Sequence, residues 1–266
     1  MKIEKIKKSG SKYKIQLDNG KIINTYEEVI LENGLLFHKY INEDLHQKLL
    51  KDSEYYKIYN KVLDMINRRL RSEYEIKNYL QRQEVSENDI ESILENLKKI
   101  NLINDEKYAI AYTNDKINLS LDGPIKIRKY LEEQKIKEEY INNALENIDK
   151  NIIKGHIEKI IDKKIKANTK YTAFILKQKI MIYLINLGYK KEDINEILET
   201  RQIENKNSKK EMDKVYNKLI KKNEGYELYA KLKKSLFKKG YSKEEIDDYI
   251  NEKSSELFWT FFIWWT

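Results

Sequence analysis

The sequence contains a long internal repeat. Residues 76–97 (IKNYLQRQEVSENDIESILENL) align without a gap on residues 127–148 (IRKYLEEQKIKEEYINNALENI). The same frame continues twice more, and its anchor residues recur about every 52 residues, at Ile76, Ile127, Ile180 and Leu232. A repeat of this length predicts stacked helical units, because one unit alone cannot bury its apolar stripe.

Each copy has the same internal order of a helix, a short break and a second helix with apolar residues at the i, i+3, i+4 and i+7 spacing. A preceding helix, for example residues 56–70 or 152–166, completes a three-helix unit. The residues that form the breaks differ between copies. They are polar in the first two (Glu84-Val85-Ser86 and Lys135-Ile136-Lys137) and glycine-based in the last two (Gly188-Tyr189 and Gly240-Tyr241), where Gly can end a helix.

The N-terminal residues predict strands instead. Residues 12–17 alternate apolar with polar side chains, Asp18-Asn19-Gly20 is typical of a tight turn, and residues 21–26 form the returning strand. A further strand over residues 3–8 completes a three-stranded meander. The first helix is expected to begin in the forties, after Asn33-Gly34.

The predicted fold is mainly α: an elongated, curved tandem array of about four three-helix repeats with a small N-terminal β-hairpin or meander. One proline and eight glycines leave little material for an all-β fold. The predicted divisions are residues 1–50 for the β-rich segment and lead-in helix, 51–104 for repeat 1, 105–150 for repeat 2, 151–205 for repeat 3, 206–256 for a diverged repeat 4 and 257–266 for an aromatic tail.

Residues suited to catalysis or metal binding are few. The chain has no cysteine, which excludes disulfides and thiol catalysis and fits a reducing compartment. Its three histidines, His38, His46 and His156, are too scattered for a metal cluster, and no glycine-rich phosphate loop occurs. The expectation is a non-enzymatic binding protein with no cofactor or metal, and a hydrolase or nuclease has no supporting cluster.

The charge balance favours an anionic partner. Lys and Arg exceed Asp and Glu by 52 to 44, a formal net charge of +8, and charged residues make up 36% of the chain. This excess suits a nucleic acid, although interspersed charges are also typical of an ordinary helical surface rich in salt bridges.

Three clusters of basic residues are the candidate partner contacts. One precedes the second helix of repeat 1, a second opens the matching helix of repeat 2, and a third surrounds Leu236-Phe237 in repeat 4. Arginine suits bidentate pairing with carboxylate or phosphate. The candidates are Arg68, Arg69, Arg71, Lys126, Arg128, Lys129, Lys233, Lys234, Lys238 and Lys239. Tyrosines at repeat positions, such as Tyr79, Tyr130 and Tyr183, are assigned to core packing instead of base stacking.

The two termini carry different expectations. The first eight residues lack the apolar core of a signal peptide, which favours a cytoplasmic protein. Residues 257–266 (LFWTFFIWWT) hold all three tryptophans but rise only about 15 Å as a helix, too little to span a bilayer. This tail is a docked or partner-covered segment, an interfacial anchor or an anomaly of the sequence.

Two motifs resemble the RecX regulatory proteins of bacteria. The family's R-x-R-S-E-x-E-[LI]-x-x-x-L helix matches residues 69–76 (RLRSEYEI) followed by Leu80. Its D-x-x-[FY]-A segment matches residues 105–109 (DEKYA), and its G-P-x-x-I-x-x-x-L element matches residues 123–127 (GPIKI) with Leu131. The resemblance covers most of the chain from about residue 58 onward.

The resemblance implies a modulator of the RecA recombinase in recombination, DNA repair and the SOS response. Such proteins lie in the groove of the RecA filament on single-stranded DNA, suppress ATP hydrolysis and strand exchange, and disturb filament growth. A monomer without a membrane span is expected. The alternative from another class is a helical repeat protein that binds single-stranded nucleic acid directly.

Overall fold

The computed structural model describes residues 1–169, 171–203 and 208–263, and from residue 256 onward it describes the backbone alone. The strands are β1 Ile3–Ser9, β2 Lys12–Leu17 and β3 Ile22–Thr25. The α-helices in these ranges are α1 Glu27–Glu32, α2 Glu43–Arg68, α3 Glu73–Arg82, α4 Glu87–Lys99, α5 Asp105–Asp115, α6 Pro124–Glu133, α7 Glu138–Glu146, α8 Lys150–Lys166, α9 Ala173–Asn186, α10 Lys191–Glu199, α11 Ser208–Leu219, α12 Gly225–Lys238 and α13 Lys243–Ile263, and a π-helix at Lys116–Ser120 follows α5. The prediction of a mainly α chain with a small N-terminal sheet is confirmed.

The N-terminal sheet is an antiparallel meander in the order β1-β2-β3. Its inner face buries Ile15, Leu17 and Ile23, because alternate residues of a strand point to one side of the sheet. Helix α1 covers this core with Val29 and Ile30. The expectation that the first helix begins in the forties is therefore wrong: this short apolar segment gains its helical form from burial under the sheet.

Helix α2 connects the sheet to the first repeat. Asn42 caps its start by accepting a hydrogen bond from the Leu45 amide at 2.8 Å, and the helix then runs for 26 residues. Leu49 near its start packs in the sheet core, and Val62 near its end packs in the core of the first repeat. One helix thus continues through the division predicted at residues 50 and 51.

The chain divides into two compact units. Unit 1 comprises Met1–Tyr112 and Leu131–Ala144, and unit 2 comprises Thr113–Tyr130 and Leu145–Thr266. Unit 1 holds the sheet core and a core built by α2, α3 and α4, while unit 2 holds one core built by α8, α9 and α10 and another built by α11, α12 and α13. Three-helix packing around separate cores agrees with the repeat period.

The anchor residues of the repeat are buried in all four copies. Ile76, Ile127, Ile180 and Leu232 are each at most 1% exposed. The leucine one helical turn later is completely buried in every copy, as Leu80, Leu131, Leu184 and Leu236. The sequence repeat is therefore a repeat of core positions.

The break after the second helix has one backbone form in all four repeats. Glu84, Lys135, Gly188 and Gly240 have φ angles of 57°, 58°, 90° and 80°. In each case the next amide donates to the carbonyl of the buried leucine five residues earlier, from Val85, Ile136, Tyr189 and Tyr241 at 3.1–3.3 Å. This is the Schellman arrangement. The expectation that glycine ends the helix in the last two copies is confirmed, and Glu84 and Lys135 take the same left-handed form in the first two copies without glycine.

The tyrosines at the repeat position are less buried than predicted. Tyr79 and Tyr130 are half-buried, and Tyr183 is 41% exposed with the Lys164 Nζ atom 3.7 Å from its ring centroid. The core assignment is wrong for Tyr183. The predicted aromatic tail at residues 257–266 lies outside the described side chains, although the backbone of α13 extends to Ile263.

Candidate functional site

The first basic cluster lies at the start of helix α3. Ser72 caps this helix by accepting from the Glu75 amide at 3.1 Å, while the Glu75 carboxylate accepts from the Ser72 amide at 3.3 Å. These two bonds form a capping box, which satisfies two backbone donors that the first turn of a helix leaves free. The arginines are arranged around this carboxylate.

Two of the three arginines bind Glu75. The Arg69 guanidinium donates to both carboxylate oxygens, at 2.5 and 3.1 Å, and Arg71 reaches the same carboxylate at 3.5 Å. Burial alone would raise the pKa of the Glu75 carboxyl, but hydrogen bonds and charge from Arg69 and Arg71 outweigh it and lower that pKa below its ordinary value. The Arg68 side chain is exposed and has no ion pair or hydrogen bond within the described part of the chain.

A second carboxylate completes the start of α3. Asp105, the first residue of α5, accepts from the Glu73 amide at 2.8 Å. Burial raises the pKa of the Asp105 carboxyl above its ordinary value. Glu73 in turn pairs with Lys98 at 2.6 Å, and the three residues line a cleft of about 340 Å³. The acidic residue of the D-x-x-[FY]-A motif therefore joins α5 to α3.

The second basic cluster lies on residues 124–130 of helix α6, the part that belongs to unit 2. The Lys126 ammonium pairs with Asp122 at 2.7 Å, so its charge is partly compensated. Arg128 is half-buried, and Lys129 is exposed without an ion pair among the residues the structure describes. Burial, with the Asp122 charge, raises the pKa of the neighbouring Tyr189 hydroxyl to about 12, and that hydroxyl donates to the Leu121 carbonyl at 2.8 Å.

The N-terminus of α6 contacts the C-terminus of α9. The Gly123 amide donates to the Leu187 carbonyl at 2.6 Å, and the Ile125 amide donates to the Gly188 carbonyl at 3.0 Å. A Cβ on Gly123 would lie 2.4 Å from the Gly188 backbone. The positive end of one helix dipole thus meets the negative end of another, with the backbones in direct contact.

The same contact recurs within unit 2 between α9 and α12. Thr172 caps α9 and its hydroxyl donates to the Lys239 carbonyl at 3.0 Å, next to Gly240. A Cβ on Gly240 would lie 2.8 Å from the Thr172 hydroxyl oxygen. In unit 1 the Ser72 hydroxyl lies 3.4 Å from the Gln134 side chain, just before Lys135. Each N-cap therefore contacts the end of the second helix of the following repeat.

The third basic cluster, on α12, is the most exposed. Lys233 pairs with Asp247 at 2.7 Å, and the hydrogen bond from Lys233 lowers the pKa of that carboxyl. Lys234, Lys238 and Lys239 have exposed side chains with no ion pair within the described ranges. Five of the ten predicted contact residues have exposed side chains and no ion pair within the described ranges: Arg68, Lys129, Lys234, Lys238 and Lys239.

The sequence interpretation missed the residues that join one repeat to the next. Asp105, Gly123 and Gly188 act on helix ends that lie at least 30 residues away in the chain. A usable signal existed for Gly188, because its place in the repeat coincides with that of Gly240. No sequence signal identifies the helix that each one contacts.

Two properties of the described residues bear on other kinds of site. Among them, no group of three or more His, Cys, Asp or Glu residues is placed to hold a metal ion. Within the same ranges, every helix is too short or too polar to cross a membrane.

Two family models match the chain. Residues 59–97 match the first three-helix domain of RecX, and residues 104–145 match the second. Full-length relatives agree. A protein named regulatory protein RecX from Streptococcus agalactiae is 30% identical over 258 residues, which cover 95% of this chain and 99% of the relative. One of the same name from Bacillus cytotoxicus is 28% identical over 265 residues, covering 96% and 98% of the two chains.

Solved structures extend the likeness to the fold. A crystal structure of regulatory protein RecX superposes with a TM-score of 0.60 and 27% identity, covering 74% of this chain and 98% of that one. RecX from Lactobacillus salivarius gives a TM-score of 0.51 at 24% identity, covering 55% and 94% of the two chains, and shows the fold alone. With a near-complete relative at 30% identity and both domain models matched in order, the chain belongs to the RecX family of regulatory proteins.

Proposed function

We propose that this protein binds the RecA nucleoprotein filament and inhibits its ATPase, its strand exchange and its growth. The observation that carries the proposal is the similarity to regulatory RecX proteins over nearly the whole chain, including both three-helix domains. The protein acts as a cytoplasmic monomer, and it modulates recombination and repair through its partner.

A regulatory role without catalysis is supported by the structural contacts of the carboxyls that have shifted pKa values. The carboxyls with shifted pKa in the repeats are Glu75, Asp105, Asp213 and Asp247. Each is bound to a helix start or to a neighbouring lysine, arginine or tyrosine side chain. Perturbed pKa values at enzyme sites serve proton transfer, whereas these groups hold helices together. The chemistry is therefore assigned to RecA.

The uncompensated cations are the proposed contacts. Arg68, Lys129, Lys234, Lys238 and Lys239 are free to pair with acidic protein surface or with phosphate, whereas Arg69 and Arg71 already bind Glu75. Charge across an interface contributes to partner choice and to association rate. Arg68→Glu with Lys129→Glu should reduce filament affinity about tenfold while the helical circular dichroism signal is unchanged. Unchanged affinity would remove these residues from the interface.

The direct test adds the purified protein to RecA assembled on single-stranded DNA. ATP hydrolysis and strand exchange should both fall as the protein is titrated, and filament length should decrease in electron micrographs. No effect at saturating concentration would contradict the proposal. Equal affinity for bare single strands and for RecA filaments would favour the alternative of a direct nucleic-acid binder.

A further inference from the structure

The positive charge of the protein is concentrated in its N-terminal sheet. Residues 1–26 contain seven lysines and only two carboxylates, Glu4 and Asp18, which gives +5 of the net charge of +8. The other 240 residues contain 45 basic and 42 acidic side chains and contribute only +3. A sheet with about a tenth of the chain therefore carries more than half of its charge excess.

The strand register places four of these lysines on one face. Lys7 lies opposite Lys14, which lies opposite Asn24 on β3. Lys5 pairs with Gln16 in the next outward row, and Lys12 pairs with Ser9 at the other end. All of these side chains are exposed, whereas the intervening row Ile6, Ile15 and Ile23 faces the core. We call Lys5, Lys7, Lys12 and Lys14 the basic face.

Among the described residues, no carboxylate forms an ion pair with a lysine of the basic face. The Glu4 carboxylate, at its edge, accepts from the Gln16 amide at 3.3 Å. Lys12 lies over the Tyr26 ring at 5.6 Å, and the remaining three lysines have no ion pair within the described part of the chain. The lysine that does pair, Lys8 with Glu27, belongs to the opposite face of the sheet, where its register partner is Tyr13.

Protection of the sheet edge does not explain this arrangement. Lysines on an edge strand prevent pairing with other chains, and this accounts for Lys5 and Lys7 on β1. Lys14 lies on the central strand β2, directly opposite Lys7. Like charges placed directly opposite each other destabilise a sheet, so the pair has a cost in stability without a structural benefit.

We propose that the basic face binds the phosphate backbone of a nucleic acid. Its lysines are about 5 Å apart across strands and about 7 Å apart along a strand, so they present several cations to one polyanion. The exposed Asn24 amide, opposite Lys14, supplies a further donor for phosphate oxygens. The face carries no arginine, and the Tyr26 ring beneath Lys12 is buried, so no side chain is placed to read a base edge and binding is independent of sequence.

The same composition argues against a protein partner for this face. Lysine is depleted at protein interfaces, and their energy comes from buried aromatic and arginine anchors, which the basic face lacks. Its one exposed apolar side chain is Ile22, next to Gln16. The binding requires no RecA and stands apart from the proposed function, since it concerns nucleic acid alone.

The test measures binding of the full chain to a fluorescent oligothymidine strand between 50 and 200 mM salt. Lys7→Glu with Lys14→Glu should weaken binding at least tenfold at low salt. If each lysine neutralises one phosphate, the slope of log affinity against log salt should decrease in magnitude by about 1.4. The matched control, Lys48→Glu with Lys51→Glu on exposed positions of α2, makes the same change in net charge and should alter affinity less than twofold.

Equal losses in the two double variants would overturn the proposal, because net charge alone would then decide binding. Absence of binding to bare strands would also overturn it, while leaving inhibition of RecA as a separate result. So would binding to phosphatidylserine vesicles in place of the oligonucleotide.

Lys14→Glu alone should unfold at the same or higher urea concentration, since it turns the repulsive pair into an attractive one. If a glutamate variant fails to fold, Lys7→Gln with Lys14→Gln carries the same expected change in slope.

Discussion

Helices α3 and α9 occupy the same place in repeats 1 and 3, but different residues cap them at both ends. Helix α3 has ten residues, starts at a charged capping box and ends at Glu84 in the left-handed region. Helix α9 has fourteen residues, starts at the neutral cap Thr172 and ends at Gly188. Their buried anchors are equivalent, so the repeat conserves the core and varies the ends of the helices.

The C-terminal ends of α3 and α9 show when a left-handed position requires glycine. A left-handed residue at the helix end costs a non-glycine side chain about 1–2 kcal/mol, which Glu84 and Lys135 tolerate. Gly188 has an additional constraint, because a Cβ there would lie 2.4 Å from the Lys126 amide nitrogen. Close approach of another backbone, and not the turn itself, excludes a side chain at that position.

The largest expected effect tests what the two helices share. Leu80→Ala and Leu184→Ala each remove a fully buried side chain at the same repeat position. Each should lower the free energy of unfolding by about 3–5 kcal/mol, because truncation leaves a cavity. Urea unfolding followed by circular dichroism measures both. A loss below 1 kcal/mol for either one would show that the repeats do not pack alike.

The second effect tests the constraint on Gly188. Gly188→Ala should cost about 3 kcal/mol of unfolding free energy, through the left-handed φ of 90° and the clash with the α6 backbone. Gly155→Ala in α8 is the control, since its Cβ would meet nothing within 4 Å. That control should be neutral or stabilising by up to about 1 kcal/mol. Equal effects of the two substitutions would contradict the assigned contact.

The third effect concerns the charged start of α3. Because the folded pKa of Glu75 is lowered, its carboxylate stabilises the fold above the ordinary glutamate pKa and loses this contribution as the pH falls through the folded value. Glu75→Gln should cost about 1–2 kcal/mol at pH 7 and progressively less in acid, as urea midpoints across pH would show. Thr172→Ala in α9 should cost about 1 kcal/mol without such a pH dependence. A pH-independent Glu75→Gln effect would contradict the ion pair.

The smallest effect has the opposite sign. Glu84→Gly should raise the free energy of unfolding by about 0.5 kcal/mol, because relief of left-handed strain exceeds the added entropy of the unfolded chain. Thermal unfolding detects a shift of this size when it is compared with Glu91→Gly, an exposed position inside α4, which should destabilise by about 1 kcal/mol. Destabilisation by both would show that the Glu84 side chain has a role of its own.

The sequence alone predicted the N-terminal strands and the buried anchor residues of the repeats. Alternation and the Asp18-Asn19-Gly20 turn predicted the meander, and the period of the anchors predicted the buried positions of all four repeats. The basic clusters were also visible, but the sequence did not distinguish Arg68 from Arg69. That distinction depends on where the Glu75 carboxylate lies in space.

The sequence by itself determined the buried anchor residues of the repeats, the N-terminal strands and the helices of the repeats, because those patterns depend on side chains one or two turns apart. Only the tertiary structure decided that Asp105 caps α3, that Glu75 holds two arginines and that Gly123 meets Gly188. The physical reason is distance along the chain. The contact between Gly123 and Gly188 joins residues 65 positions apart, so no local pattern of the sequence specifies it.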